Sequence, residues 1–461
     1  RRLFVAAASA IALFPVIFFF GVEAFGQKNL NQDRQRAGKL MQEGNYRESF
    51  EIFSALALDP ADDPGQVPHD MEKAVSCLAN LGRTNEFDGF IEKAVRIHSK
   101  NWKALAKAGR LYMDTEHYGS IVAGEFIRGP HRGPSTVANS FERDRVRAMQ
   151  LYRAAIERNI MEKAAEREPS STGEIFLSLS GAILGNRGWS QAWRLQYITD
   201  MNTLPDVEEG YYMYDYRTSF RGAPVNPDGT PVFHMMPESW ESAGTDGERF
   251  RWCLAQASEY APELKGRAMS DWAGFLHAQF GVETMGSYRF PYGRVKRENG
   301  KRDESGPYAV SSLEESETIS KLANGIKRFK LPEEFNHISI YRQIADEDKT
   351  GYAQNALYQL SAIFENRMQY EKAAGFWERN IREFSDPHGS KKARLDQITG
   401  NWGRFDPAAT QPAGSGASVE YIFRNGKKVR FTAREINISK LLADTKKYIE
   451  SKPRTLEWNR I

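Results

Sequence analysis

The sequence predicts a mainly α protein in which helical repeats stack into an α-α superhelix. A membrane segment precedes them, a β-hairpin excursion interrupts them and the beginning of a β-rich domain follows. Three observations carry this. Small and aromatic residues recur at fixed offsets within amphipathic helical stretches, one long uncharged apolar stretch opens the chain, and the apolar period changes from helical to alternating after residue 418.

The opening stretch, residues 3–22 (LFVAAASAIALFPVIFFFGV), is uncharged, follows Arg1-Arg2 and approaches the ~20 residues a helix needs to cross a bilayer. Val22-Glu23-Ala24 has the form of a small-x-small cleavage site, yet the apolar run exceeds the ~7–15 residues usual in a cleaved signal. Residues 1–26 are therefore expected to be a signal peptide or, given that length, a retained membrane anchor. Arg1 is not an initiator methionine, so at least one residue is expected upstream. With the arginines held in the cytoplasm, everything after Gly26 is exported, anchored in the inner membrane facing the periplasm or secreted.

Residues 27–209 and 246–396 read as helical repeats. Residues 37–60 (AGKLMQEGNYRESFEIFSALALDP) form two short amphipathic patterns, with a break at Gly44-Asn45 and a stop at Asp59-Pro60. Gly44 and Tyr46 fall at the turn and Phe53 and Ala55 on the second helix, while Ser49 takes a position where alanine would fit. Residues 102–118 put Gly109, Tyr112 and Tyr118 at the same offsets, with Ile121 where a small residue is expected. Residues 175–200 supply a turn at 185–188, then Trp189 and Ala192. Residues 355–384 carry Tyr370, Ala373 and Trp377 ahead of Asp386-Pro387. These stretches resemble tetratricopeptide repeats, in which paired helices cross at small residues and bury aromatics. Such residues hold the fold rather than a ligand, because each pair covers its apolar face only against a neighbour. The resemblance implies a concave face that binds other proteins.

Residues 210–245 interrupt the helical pattern. Tyr211, Tyr212, Tyr214 and Tyr216 precede Asn226-Pro227-Asp228-Gly229, so an irregular β-hairpin is expected, its tyrosines packed over the helices or, alternatively, exposed as a binding patch. Helical pattern resumes at 246–260 and 268–280. The basic cluster within residues 288–306 reads as a solvated loop rather than a phosphate site.

Composition narrows the function. The 63 basic and 60 acidic residues are spread along the chain, so no field of one sign gathers nucleic acid. No CxxC, HExxH, GxSxG, phosphate-binding loop or dinucleotide fingerprint occurs, and the histidines lack metal-ligand spacing, so neither catalysis nor a cofactor is expected. Cys77 and Cys253 sit in apolar helical stretches as expected core thiols, with a disulfide between them as the alternative.

Residues 397–418 are expected to be a linker, richest in Pro, Gly, Ser and Ala from 407 onward. Beyond it, residues 419–424 and 427–432 alternate apolar and polar around Asn425-Gly426, predicting a tight hairpin, and residues 438–450 predict an amphipathic helix. One hairpin and one helix bury too little to be stable alone, so residues 419–461 are expected to begin a larger β-rich domain. The membrane segment, the repeats and residues 397–431 (QITGNWGRFDPAATQPAGSGASVEYIFRNGKKVRF) together resemble the N-terminal region of bacterial alpha-2-macroglobulin-family proteins. The resemblance implies an envelope protein that traps or inhibits proteases, with macroglobulin domains following this region. The family's thioester, a Cys-x-Glu-Gln context, is not matched: Cys253-Leu254-Ala255-Gln256 keeps the spacing without the glutamate, and Cys77-Leu78-Ala79-Asn80 departs further.

The expected function is thus a non-catalytic, membrane-tethered scaffold whose partners are other proteins, proteases or its own downstream domains among them. A stand-alone assembly or tethering factor in the envelope is the alternative. A hydrolase using carboxylates such as Asp215 and Glu238 is a third reading, without a motif behind it.

Overall fold

The computed structural model describes residues 30–162, 169–188, 191–210, 222–282, 309–348, 351–405, 414, 416, 418–452, 455, 457 and 459. The apolar stretch 3–22, Trp189, the tyrosines at 211–216, the basic cluster at 288–306 and most of 407–418 lie outside them. The protein is mainly helical with small antiparallel sheets. Among the described residues no helix is long and apolar enough to cross a membrane. Two units are distinct, Arg1–Phe384 and Ser385–Ile461.

In the first unit, α1 (residues 30–42) turns at Gly44 (φ +82°) into α2 (Tyr46–Ala57). Glycine is favoured there because an L side chain resists the left-handed region. The expected helix pair therefore forms. Phe53 is buried against α3 (Val67–Asn80), with its ring edge-on to His69, while Tyr46 is half-buried and Ala55 exposed. Ser49 fits the alanine position because its hydroxyl donates to the Ala37 carbonyl at 2.9 Å. After α4 (Phe87–Ile97) comes α5 (Trp102–Asp114), capped by Asn101, whose side chain accepts from the Lys103 and Ala104 amides. Gly109 lies on the α5 face that meets α6 (Phe141–Met161): a Cβ there would stand 3.0 Å from the Tyr152 ring. Tyr112 is buried edge-on to Phe87 and donates to Glu92.

The second expected pair fails after α5. Tyr118 opens a strand rather than a helix: β1 (Tyr118–Val122), β2 (Glu125–Arg128), β3 (Thr136–Asn139) and β4 (Glu208–Glu209) make a sheet of order β2-β1-β3-β4. The β-branched Ile121-Val122 and the Ala123-Gly124 turn, both residues at positive φ, favour a hairpin over a helix. The third pair also stops at one helix, α7 (Pro169–Leu184). After Gly185 (φ +48°), Ala192 opens only a 3-10 turn, Ala192–Gln196, and is buried. Fully buried Leu195 and a polar network together hold that irregular chain: Asp246 accepts from the Thr199 amide and hydroxyl and from Arg187, while Arg145, buried, donates to Thr199 at 2.8 Å.

Helices α8 (Asp246–Tyr260) and α9 (Lys265–Phe280) form where helical pattern resumes, α8 behind a Thr245–Glu248 capping box. In the excursion before them, described from residue 222, the expected hairpin shrinks to one antiparallel bridge, Val225 to Pro231, around a turn closed by Gly229 N–H to Asn226. Pro224, Pro227 and Pro231 have no N–H to extend a ladder. Ala223 bonds instead to the edge of a hairpin the sequence reading passed over, β5 (Glu317–Leu322) and β6 (Gly325–Lys330), turning at Asn324-Gly325. Helices α10 (His337–Glu347), α11 (Tyr352–Asn366) and α12 (Tyr370–Glu383) complete the unit. The late pair, α11 and α12, forms as expected. Ala373 is fully buried, Trp377 is buried with its Nε1–H on Glu365 at 2.7 Å, and Tyr370 at the turn is exposed.

Candidate protein-binding surface

The second unit contains α13 (Ser390–Thr399), β7 (Trp402–Phe405), β8 (Tyr421–Arg424) and α14 (Ile438–Glu450). The tight hairpin expected around Asn425-Gly426 does not form, since residues 425–437 contain no strand. Instead β8 runs antiparallel to β7, Phe405 opposite Tyr421 and Trp402 opposite Arg424. Asn425 adopts φ +59°, but its side-chain amide donates to the Ile398 and Gly400 carbonyls, which ties the end of β8 to the end of α13. Arg424 adds a bond to the Gln397 carbonyl. These polar ties take the place of the return strand.

Side chains alternate across this two-stranded sheet. Phe405, Tyr421 and Phe423 share one face, joined by Phe431, and the Phe405, Tyr421 and Phe431 rings lie 5.1 to 5.9 Å apart. Gly403 keeps that face open, because a Cβ there would meet the Tyr421 hydroxyl at 2.0 Å. Phe405, Phe423 and Phe431 are each more than half exposed, as are Ile438, Leu442 and Ile449 of α14. Of the apolar side chains described in this unit, only Leu395 and Ile398 are buried. Residues 385–461 also hold fifteen Lys and Arg against eight Asp and Glu, an excess that the whole-chain balance conceals. An exposed apolar surface on a unit with a net excess of basic residues is suited to a protein partner carrying acidic groups.

The repeat positions do not converge on a site. Phe53 is buried against α3, Tyr112 against α4, and Ala373 and Trp377 in the α11–α12 pair, Tyr46 and Tyr370 lie at turns, and Tyr118 and Ala192 belong to the irregular segments. Cys77 and Cys253 are free and buried. Burial pushes the Cys253 thiol up, and the Gln256 amide donates to Glu259 instead of approaching the sulfur. Asp215 lies outside the described residues. No group of three or more metal-ligating side chains occurs among the described residues.

One buried cluster has the residue types of a hydrolytic triad, and its order decides against that chemistry. Asp144 accepts from Ser140 at 2.7 Å, from Arg128 at 2.8 and 2.9 Å, and contacts His117 Nδ1 at 2.8 Å. Burial pushes this carboxyl up, but the hydrogen bonds from His117, Arg128 and Ser140 outweigh it and hold Asp144 below its ordinary value. In a relay the histidine stands between hydroxyl and carboxylate. Here the carboxylate stands in the middle and Arg128 continues to Asp88, so the cluster pins β2 to α4 and α6. Sequence reasoning missed it because Asp88, His117, Arg128, Ser140 and Asp144 share no short motif.

No protein-family model matches the chain, and no curated protein matches it.

Proposed function

We propose that this chain is a non-catalytic, exported scaffold, its helical unit a framework and its Ser385–Ile461 unit a protein-binding element. On this reading it is the N-terminal region of an alpha-2-macroglobulin-like envelope protein, tethered through residues 3–22, and its partner is that protein's own β-rich domains or a protease they engage. One observation supports the reading most: the second unit exposes Phe405, Phe423, Phe431, Ile438, Leu442 and Ile449 while burying little apolar surface of its own. So small a core does not offset the ~1–2 kcal/mol per residue of backbone ordering, which favours a further surface packed against it. The fifteen-to-eight excess of basic residues favours an acidic one.

The test combines the reading frame beyond Ile461 with photo-crosslinking from a photoreactive residue at Phe431. Further β-rich domains in frame support the proposal. A stop codon within a few residues, with a specific crosslinked protein, would favour the stand-alone tethering factor instead. A stop codon and no adduct would refute protein binding through this unit.

A further inference from the structure

Beyond β8 the chain joins no sheet. Residues 426–436 lie in neither helix nor strand, and among the described residues none of their backbone N–H or carbonyl groups has a hydrogen-bond partner. The composition of the same stretch nevertheless suits a strand. From Lys427 to Ile436 it contains no Pro and no Gly, and Val429, Phe431 and Ala433 alternate with Lys428, Arg430, Thr432 and Arg434. Paired as a strand, it would carry one apolar face and one basic face.

Water satisfies exposed backbone, so the free N–H groups alone call for no partner. The side chains supply two further observations. Phe431 rests on the aromatic face of the β7–β8 sheet, its ring 5.2 Å from that of Tyr421 and 5.9 Å from that of Phe405, yet it stays exposed together with Val429 and Ile436. Lys428, Arg430 and Arg434 are exposed as well and form no ion pair among the described residues. A second copy of this chain would set the same three cations against one another, and like charges on neighbouring strands are destabilising. A strand with carboxylates at alternate positions and apolar side chains between them answers both faces.

We propose that residues 428–434 are an unpaired strand whose neighbour is an edge strand of another protein, with carboxylates beside Lys428, Arg430 and Arg434 and apolar side chains beside Val429 and Phe431. This rests on the reading of Ser385–Ile461 as a protein-binding element and adds the form of the contact. Main-chain hydrogen bonds along the added strand supply affinity, and alternate side chains select the partner. The three cations decide the sign of that selection and speed the encounter. Phe431, already seated against Tyr421 and Phe405, reduces what it costs to order the segment on binding.

Hydrogen exchange of the intact chain tests this with short probe peptides of alternating valine and glutamate, of alternating valine and lysine, and of valine and glutamate N-methylated throughout. In the free chain the amides of residues 428–434 should exchange at their intrinsic rates. The valine–glutamate peptide should slow them by about tenfold. The other two should leave them unchanged, one for its charge and one for its missing main-chain donors. Lys428→Glu, Arg430→Glu and Arg434→Glu together should invert the preference, so that the valine–lysine peptide now protects; such a gain does not arise from misfolding. Protection in the free chain, protection by the N-methylated peptide, a preference unaltered by the charge reversal, or no protection by any peptide would each overturn strand addition. Photo-crosslinking from position 431 separates that failure from failure of the wider reading. A specific protein adduct without strand addition leaves the unit a protein-binding element, whereas the absence of both removes that reading as well.

Discussion

Acidification should weaken the first unit through one pair of stacked histidines. His277 of α9 and His337 of α10 lie face to face, rings 8° from parallel with centroids 5.1 Å apart. His337 is fully buried with both ring nitrogens lacking a partner, and it opens α10, where the positive end of the helix also disfavours an imidazolium. Beyond it Arg367, tied to the Glu314 and Glu317 carbonyls at 3.0 and 2.9 Å, adds a third positive group. Burial, then Arg367, brings His277 down to about 4, while burial, then His277 and Arg367, holds His337 well below its ordinary value. Both are neutral in the folded chain where the unfolded chain takes up protons. Their contribution is therefore complete above the unfolded value of 6.5 and is lost as pH falls toward about 4. For His277 the span from 6.5 to about 4 corresponds to about 3 kcal/mol. Urea unfolding of the wild type and of His277→Leu across this range reads that share together with the effect of His277 on His337. The wild type should lose about 3 kcal/mol more than the variant between neutral and acid pH. Parallel stability curves would refute the reasoning.

Other substitutions follow from the packing. Ala373→Trp should cost about 1–3 kcal/mol in thermal or urea unfolding, because the fully buried Ala373 leaves no room for an indole; unchanged stability would remove it from a tight crossing. Asp144→Asn should cost about 3 kcal/mol by stripping Arg128 of its buried partner, and a neutral result would mean that Asp88 alone suffices. Limited proteolysis should cut first within residues 407–418 and release residues 419–461, whose circular dichroism should be largely that of unfolded chain. Cooperative melting of that fragment would show it to be self-sufficient.

Helix pairs were legible wherever the turn between them was local. Gly44 with Tyr46, and Ala373 with Trp377, lie within one helix hairpin, so short-range pattern carries the whole instruction. The pairs expected from Tyr118 and Ala192 failed because the helix before each break is real while the segment after it is set by distant partners. Tyr118 stands opposite Asn139 in the sheet, and the Ala192 segment is fixed through Thr199 to Arg145 and Asp246. The tail misled for a related reason. Asn425-Gly426 is a strong turn signal, yet β8 takes β7 as its neighbour, and the Asn425 side chain bonds to the end of α13. The hairpin β5–β6 had its own signal in Asn324-Gly325 between alternating stretches.

What remained illegible has one physical character: buried ionic clusters at the places where regular stacking breaks down. Arg34 joins α1 to a loop 28 residues away, Arg128 joins β2 to Asp88 40 residues away, and Arg187 joins the turn after α7 to Asp246 59 residues away. An apolar face between two helices is non-directional and tolerates small slips, whereas a short strand or loop offers too little apolar area to be fixed that way. Directional bonds to a buried guanidinium supply the missing constraint, and each member is an ordinary charged residue in its own stretch of sequence. The division of labour is therefore that apolar periodicity decides which helices stack, and the arginines decide where the irregular segments come to rest. It follows that substitutions at the arginines should loosen those segments before they loosen the helix pairs, in the order in which amide exchange would report it.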